Sequence, residues 1–372
     1  MGIYVHIPFC RSKCYYCGFY SVASLNLKEQ YINALIKEIN IRQDYLGNKM
    51  VSTLYFGGGT PSYLSEIDLK NIITEIYRKW KFTENAEISI ELNPEDGTME
   101  KLTSLKELGF NRLTFGVQSF DKNVLKTVNR THAPEHVVTA IENARRVGFN
   151  NIGIDIIIGL PGATREILMS DLQKAKELNT EHISLYIFSV DPGTVFEKLY
   201  ERGKISLHTD EELYEQYMYV SDFFKNCGYE HYEISNFAKN GKYSKHNTSY
   251  WQQKPYLGLG AAAHSYNIES RQWNVSNVKK YVDSLNDSNL IFEKENLNRE
   301  DKFNEYIMTR LRTMWGIDIE FIQSNYSEYY QVVSKHIQKQ IDIGNIIKFN
   351  SNLRLTEDAW FISDDIFSEM FV

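Results

Sequence analysis

Cysteine is scarce in this chain, with four among 372 residues, and the scarcity excludes a disulfide framework. Bridges need partners at sensible separations, and Cys227 stands alone and far from the other three. A dominant positive charge is also missing. The 41 basic residues are outweighed by 48 acidic ones, a net −7, which argues against a broad nucleic-acid or anionic-membrane footprint. Long apolar runs are absent too. The densest, Ile152 to Leu160, contains Asp155 and is far too short to cross a bilayer. An integral membrane segment is thereby excluded, while transient docking on a membrane stays open. The N-terminal MGIYVHIPFC carries no basic stretch, apolar stretch or small-residue cleavage site, so no signal peptide is expected. Internal repeats and low-complexity segments are not visible. What remains is a chain long enough for one large domain and a smaller one, 42% apolar and so able to build a core.

Three of the four cysteines, Cys10, Cys14 and Cys17, lie at C-x3-C-x2-C spacing. Zinc usually takes four nitrogen or sulfur ligands, commonly from paired C-x2-C; it could recruit His6, but His6 lies within the first expected strand. Three closely spaced thiolates suit three irons of a cubane [4Fe–4S] cluster, with the fourth iron left open. An open iron can bind a small molecule and pass it an electron, which is the first step of radical S-adenosylmethionine (SAM) chemistry. Reduced cysteines around an oxygen-sensitive cluster fit the cytoplasm.

The first 190 residues alternate strand-like and helix-like segments. Strands are expected over Gly2–Ile7, Val51–Phe56, Glu87–Leu92, Arg112–Val117, Asn151–Ile158 and His182–Phe188, each short and rich in β-branched or aromatic residues. Helical patterns separate them, several ending at a glycine such as Gly109 or Gly148. This order predicts an α/β fold: parallel strands with crossover helices, six units of an incomplete (β/α) barrel. Such barrels place chemistry at the C-terminal rim of the strands. The cysteines, Gly57-Gly58-Gly59-Thr60-Pro61, Glu91, Gln118, Asp155 and Ser189 all fall at or near those ends. After residue 200 the alternation fades. A helix is expected over Asp210–Cys227 and a strand over Tyr229–Phe237. Helices near Asp301–Met314 and Tyr329–Ile343, followed by a hairpin, suggest a small winged-helix-like α+β module with no basic recognition face. The division expected is 1–205 for the partial barrel, 206–295 for a connecting region and 296–372 for the C-terminal domain.

From Tyr4 through Cys17, together with Gly57–Pro61, Phe115–Phe120, Asn129-Arg130 and Ile154–Pro161, the chain resembles the coproporphyrinogen-oxidase-like branch of the radical SAM enzymes. Within it, the likeness to the haem-chaperone (HemW) family is stronger than to the oxygen-independent coproporphyrinogen III dehydrogenases (HemN). The dehydrogenase pattern has a further cysteine where Phe19 stands, and a long arm before the first strand. The sequence His246-Asn247-Thr248-Ser249-Tyr250-Trp251 matches the H-N-x-x-Y-W signature of the chaperones, which is linked to haem binding.

The resemblance implies three cofactors: the cluster, SAM and haem. Cys10, Cys14 and Cys17 would hold the cluster. Gly58, Gly59 and Thr60 would approach SAM closely, Glu91 would accept from its amine or ribose, and Arg130 would pair with its carboxylate. Gln118 and Asp155 would complete the polar wall, with Tyr4, Tyr16 and Ser189 around it. His246 would ligate haem iron, Asn247 would orient it, and Tyr250 and Trp251 would stack on the porphyrin. The function implied is haem binding and transfer to acceptors such as respiratory cytochromes, with an electron donor for the cluster. The alternative is oxidative decarboxylation of coproporphyrinogen III. Gly258-Leu-Gly260 is not a dinucleotide fingerprint, since the third glycine is missing.

Overall fold

Alternate residues along the first strands differ in kind, and this sets the architecture. In the computed structural model, which describes residues 1–47 and 49–372, six strands run in chain order: β1 (Gly2–Ile7), β2 (Val51–Gly58), β3 (Phe82–Leu92), β4 (Arg112–Gln118), β5 (Ile152–Ile158) and β6 (His182–Ile187). All five neighbouring pairs are parallel. Ile3, Val5, Leu54, Phe56, Ile90, Leu113, Phe115, Ile154 and Ile183 are fully buried. They share the main hydrophobic core with residues of the crossover helices such as Leu35, Leu69, Leu102, Ala144 and Leu172. Each buried side chain of this size is worth roughly 1.5–3 kcal/mol. The intervening positions (Tyr4 and His6, Thr53 and Tyr55, Glu87, Ser89 and Glu91, Arg112 and Thr114, Asp155, Ser184) point to the other face, so the concave side of the sheet is polar.

The crossover helices Lys28–Ile41, Glu66–Lys79, Met99–Glu107, Pro134–Val147 and Arg165–Leu178 begin and end where local chemistry dictates. Ser65 accepts from Asp68 N–H while the Asp68 side chain returns the bond, a reciprocal cap. The helix Pro134–Val147 starts with proline, whose missing N–H costs nothing there. It stops at Gly148, whose φ of 92° is open to glycine.

The sheet does not close. The segment 206–295, expected as a connector, instead builds both of its edges. β7 (Glu230–Glu233) and β8 (Asn236–Ala238) form a hairpin whose second strand pairs antiparallel with β6. The single strand expected over Tyr229–Phe237 is thus broken by a turn at Ile234-Ser235. On the far side β9 (Tyr256–Leu259) lies parallel to β1, and β10 (His264–Tyr266), β11 (Ser270–Asn274) and β12 (Phe292–Asn296) continue antiparallel. Among the described residues the result is a twelve-stranded open sheet, ordered β12-β11-β10-β9-β1-β2-β3-β4-β5-β6-β8-β7. Gly258 explains the glycine-rich run there: a Cβ on it would sit 2.0 Å from the His264 carbonyl oxygen.

The C-terminal part forms a smaller α+β module. Helices Arg299–Leu311, Ile319–Asn325 and Ser327–Asp342 precede a hairpin of β14 (Ile346–Phe349) and β15 (Asn352–Leu355), with the short β13 (Ile317–Asp318) on the other side of β15. The helices Glu357–Phe361 and Ser363–Met370 complete it. No described helix is long and apolar enough to cross a membrane.

Candidate cofactor site

The cysteines lie on a loop that leaves β1 and folds back on it. Cys10 N–H donates to Val22 O at 3.0 Å, and Val22 N–H to Pro8 O at 2.7 Å. The far side of the loop is clamped between two helices. Tyr15 N–H donates to Val128 O, Phe196 N–H to Tyr15 O, and Asn129 Nδ2 to Lys13 O. Tyr15 and Tyr16 pack on a satellite core of Val124, Val128, Leu160, Phe188 and Phe196. Gly59 secures the loop's start. An ideal Cβ there would lie 2.9 Å from the carbonyl oxygens of Ile7 and Phe9, and the N–H groups of Gly59 and Thr60 donate to those same oxygens. The glycine run therefore serves its own backbone first.

All three thiols are free and partly exposed. Burial pushes Cys17 up to about 11 and raises Cys10, so the thiolate form needs positive charge brought to it. Arg130 Nη1 lies 3.7 Å from Cys14 Sγ and Thr60 Oγ1 3.6 Å from Cys10 Sγ.

A cleft of about 310 Å³ opens beside the loop, at the C-terminal ends of the strands. It is lined by Cys10, Cys14 and Cys17 and by Tyr16, Gly58, Gly59, Thr60, Glu91, Gln118, Arg130, Asp155 and Ser189. Every residue expected around SAM is therefore there except Tyr4, which lies a layer deeper: its hydroxyl meets His6 Nδ1 at 3.1 Å, and its ring stacks with Tyr55. The electrostatics are those of an incomplete site. Burial pushes Glu91 up to about 7, the Asp155 carboxylate adding to the rise and the hydrogen bond from Tyr55 Oη (2.7 Å) opposing it. Burial likewise lifts Asp155 to about 6. Asp155 Oδ1, Gln118 Oε1 and Arg130 Nε are buried with no hydrogen-bond partner. Gln118 holds a φ of 67° at a break in the β4–β5 register, and Arg130 Nη2 donates to Gly116 O. Unpartnered acceptors beside a guanidinium whose Nε lacks a partner call for a ligand with both amine or hydroxyl donors and a carboxylate, and the donor set fits SAM. Tyr55, Tyr186, Asn93 and Asp191 were not foreseen. Asp191 packs where Gly18 has no Cβ; Tyr55 and Tyr186 were readable from the inward period of the strands, and Asn93 follows directly on the end of β3.

The HNTSYW segment lies elsewhere. It forms the helix Lys245–Trp251 at the opposite, N-terminal end of the strands, where the N–H groups of Lys245 and His246 both donate to the Glu87 carboxylate. His246 is 1% exposed. Its Nδ1 meets Thr53 Oγ1 at 2.9 Å and its Nε2 meets Tyr250 Oη at 2.8 Å, and its ring stacks on Tyr55 at 5.1 Å. Burial lowers its pKa to about 3. The expected ligand thus offers no free nitrogen to iron. Asn247 does not orient it, since Thr53 and Tyr250 hold that ring. Tyr250 packs edge-on against Tyr256, and Trp251 lies beneath the Arg312 guanidinium at 5.4 Å.

The Radical SAM superfamily model matches residues 4–175, the span holding the cysteines, the glycine run and Asp155. The heme chaperone HemW of Bacillus subtilis (strain 168) is 36% identical over 369 residues, 98% of this chain and 97% of that protein. The chain belongs to the HemW family. The HemW of Lactococcus lactis subsp. lactis (strain IL1403) is 32% identical over 99% of this chain and 97% of its own length. Coproporphyrinogen III oxidase (HemN) from Escherichia coli, described as a radical SAM enzyme, superposes with a TM-score of 0.86 at 25% identity, covering 100% of this chain and 90% of its own. Family membership carries the [4Fe–4S] cluster and SAM.

Proposed function

We propose that the chain binds haem and hands it to acceptor proteins such as respiratory cytochromes, with a [4Fe–4S] cluster and SAM at the strand ends. The observation that carries this reading is full-length kinship to proteins named heme chaperones, at 28–36% identity. Cys10, Cys14 and Cys17 hold the cluster. When bound, cluster and SAM supply one-electron chemistry at the open end of the sheet. Arg130 takes the SAM carboxylate, Glu91 and Asp155 accept from its amine and ribose, and Gln118, Thr60, Tyr16 and Ser189 orient it. An electron donor would supply the cluster with electrons, and the compartment is the cytoplasm. The test is anaerobic reconstitution with iron and sulfide followed by haem titration. A Soret shift on adding haem, with SAM altering the cluster spectrum, is expected; a Soret band identical to free haem would overturn the reading.

The fold shared with coproporphyrinogen III oxidase favours oxidative decarboxylation of coproporphyrinogen III as the second reading. Incubating the same preparation with SAM, reductant and that substrate decides between them: protoporphyrinogen formation reverses the ranking.

A further inference from the structure

Strand β2 sets Thr53, Tyr55 and Gly57 in a row on the concave face, since alternate residues of a strand share a side. Thr53, nearest the N-terminal end, meets His246 Nδ1 at 2.9 Å. Tyr55 comes next. Its ring stacks with His246 at 5.1 Å and with Tyr4 at 6.2 Å, and its hydroxyl donates to Glu91 Oε1 at 2.7 Å. Glu91 lines the strand-end cleft. One side chain therefore touches both the HNTSYW helix and the wall of the SAM site. Two glycines show how tightly this column is filled. An ideal Cβ on Gly57 would lie 2.9 Å from Tyr55 Cε1, 3.0 Å from Glu91 Oε1 and 3.1 Å from Tyr4 Cε2. One on Gly2 would lie 2.9 Å from Thr53 Oγ1 and 3.2 Å from His246 Cε1. Tyr4 is itself tied, its hydroxyl meeting His6 Nδ1 while His6 Nε2 meets Tyr20 O at 2.9 Å. A column packed this closely passes a displacement on rather than absorbing it.

We propose that Tyr55 is a positioning residue for SAM: braced by the His246 ring, it fixes the Glu91 carboxylate, so the HNTSYW helix at the N-terminal end of the strands sets how tightly the cleft at their C-terminal end holds SAM. The proposal rests on the reading of that cleft as the SAM site and adds a control to it. Tyr55 touches no ligand; it acts through Glu91, and His246 acts through Tyr55. A ligand that moves the HNTSYW helix then changes SAM affinity, and SAM changes that ligand's affinity by the same factor.

The full chain with its reconstituted cluster is titrated with SAM, read in the cluster spectrum. Tyr55→Phe keeps the ring and removes the hydroxyl; His246→Gln keeps polar atoms for Thr53 and Tyr250 and removes the flat face. Each weakens SAM by about threefold to tenfold. The double variant loses no more than Tyr55→Phe alone, because His246 has no other route to Glu91. Gly57→Ala meets side chains rather than backbone, so it displaces the ring or the carboxylate and weakens SAM by a similar factor. Leu172→Val, in the core on a crossover helix, lowers the urea midpoint and leaves SAM affinity at the wild-type value, which separates positioning from stability. Wild-type SAM affinity in Tyr55→Phe or in His246→Gln, losses that simply multiply in the double variant, or an equal loss in Leu172→Val overturns the proposal. If SAM leaves the cluster spectrum of the unsubstituted protein unchanged, the reading of the cleft itself falls.

Discussion

Glu91 shows how one residue records what the cleft is for. Its carboxyl titrates near 7 rather than 4.5 because it is buried, so the folded chain holds a proton that the unfolded chain has released. That stabilises the cofactor-free fold fully below about pH 4.5, and the contribution is gone once the pH passes the folded value near 7. Buried histidines such as His6 and His231, lowered to about 4 by burial, act with opposite sign over much of that range, so the wild-type profile alone hides the effect. The variant isolates it. In urea titrations Glu91→Gln is expected to match wild type at pH 5 and to exceed it by on the order of 2 kcal/mol at pH 8, while losing SAM-dependent changes in the cluster spectrum; equal offsets at both pH values would contradict it. Tyr55 tunes the same group. Its hydroxyl donates to the charged form, so Tyr55→Phe should raise the Glu91 pKa and move the midpoint of pH-dependent SAM binding upward. Gly59 makes a steric case. The carbonyl oxygens 2.9 Å from its ideal Cβ are backbone and cannot swing away. Gly59→Ala is therefore expected to cost about 1–3 kcal/mol of stability and to lower the iron bound per chain after reconstitution.

The elements differ in how far the sequence declares them. The six parallel strands and their crossovers were legible because apolar and turn residues recur at the right periods, and the strand-end rule then brought the cleft residues together. The place of the HNTSYW segment was not legible, because a motif says which residues travel together, not which face they present. As a helix capped by Ser244 and set on the Glu87 carboxylate, it buries the imidazole between Thr53 and Tyr250, contacts separated by up to 193 positions in sequence. That placement gives His246→Ala a definite expectation. Thr53 Oγ1 and Tyr250 Oη lose their partner inside the protein, and a ring-sized void opens. A loss of about 2–4 kcal/mol in urea unfolding follows. His246→Gln, with polar atoms at similar reach, should recover part of it. A fully stable His246→Ala protein with an altered Soret band would instead mark the histidine as an iron ligand.

At the scale of the whole molecule, local periodicity could not reveal that residues 206–295 complete both edges of the sheet, since those pairings join strands far apart in sequence and one edge has no apolar alternation to advertise it. All five residues of β12, Phe-Glu-Lys-Glu-Asn, are exposed; the charges suit an outer strand that must not recruit another chain. The C-terminal module is bound to these late strands rather than tethered to them. Ile234 N–H donates to Arg312 O and Met314 N–H to Tyr232 O. Glu357 accepts from both Ser221 and Lys225, and Trp360 packs edge-on against His231 at 4.5 Å. Phe303, Ile307, Trp360 and Phe367 belong to the same apolar core as Ile3, Val5 and Phe56. A shared core has no internal plane along which to part, so the two halves should melt together. Calorimetry of the cofactor-free chain is expected to give one transition, and removal of residues 298–372, which strips the cover from Tyr232 and His231, should leave a product that binds hydrophobic dye and precipitates. Two resolved transitions, or a soluble truncated chain with native near-ultraviolet dichroism, would show that the barrel stands without its C-terminal partner.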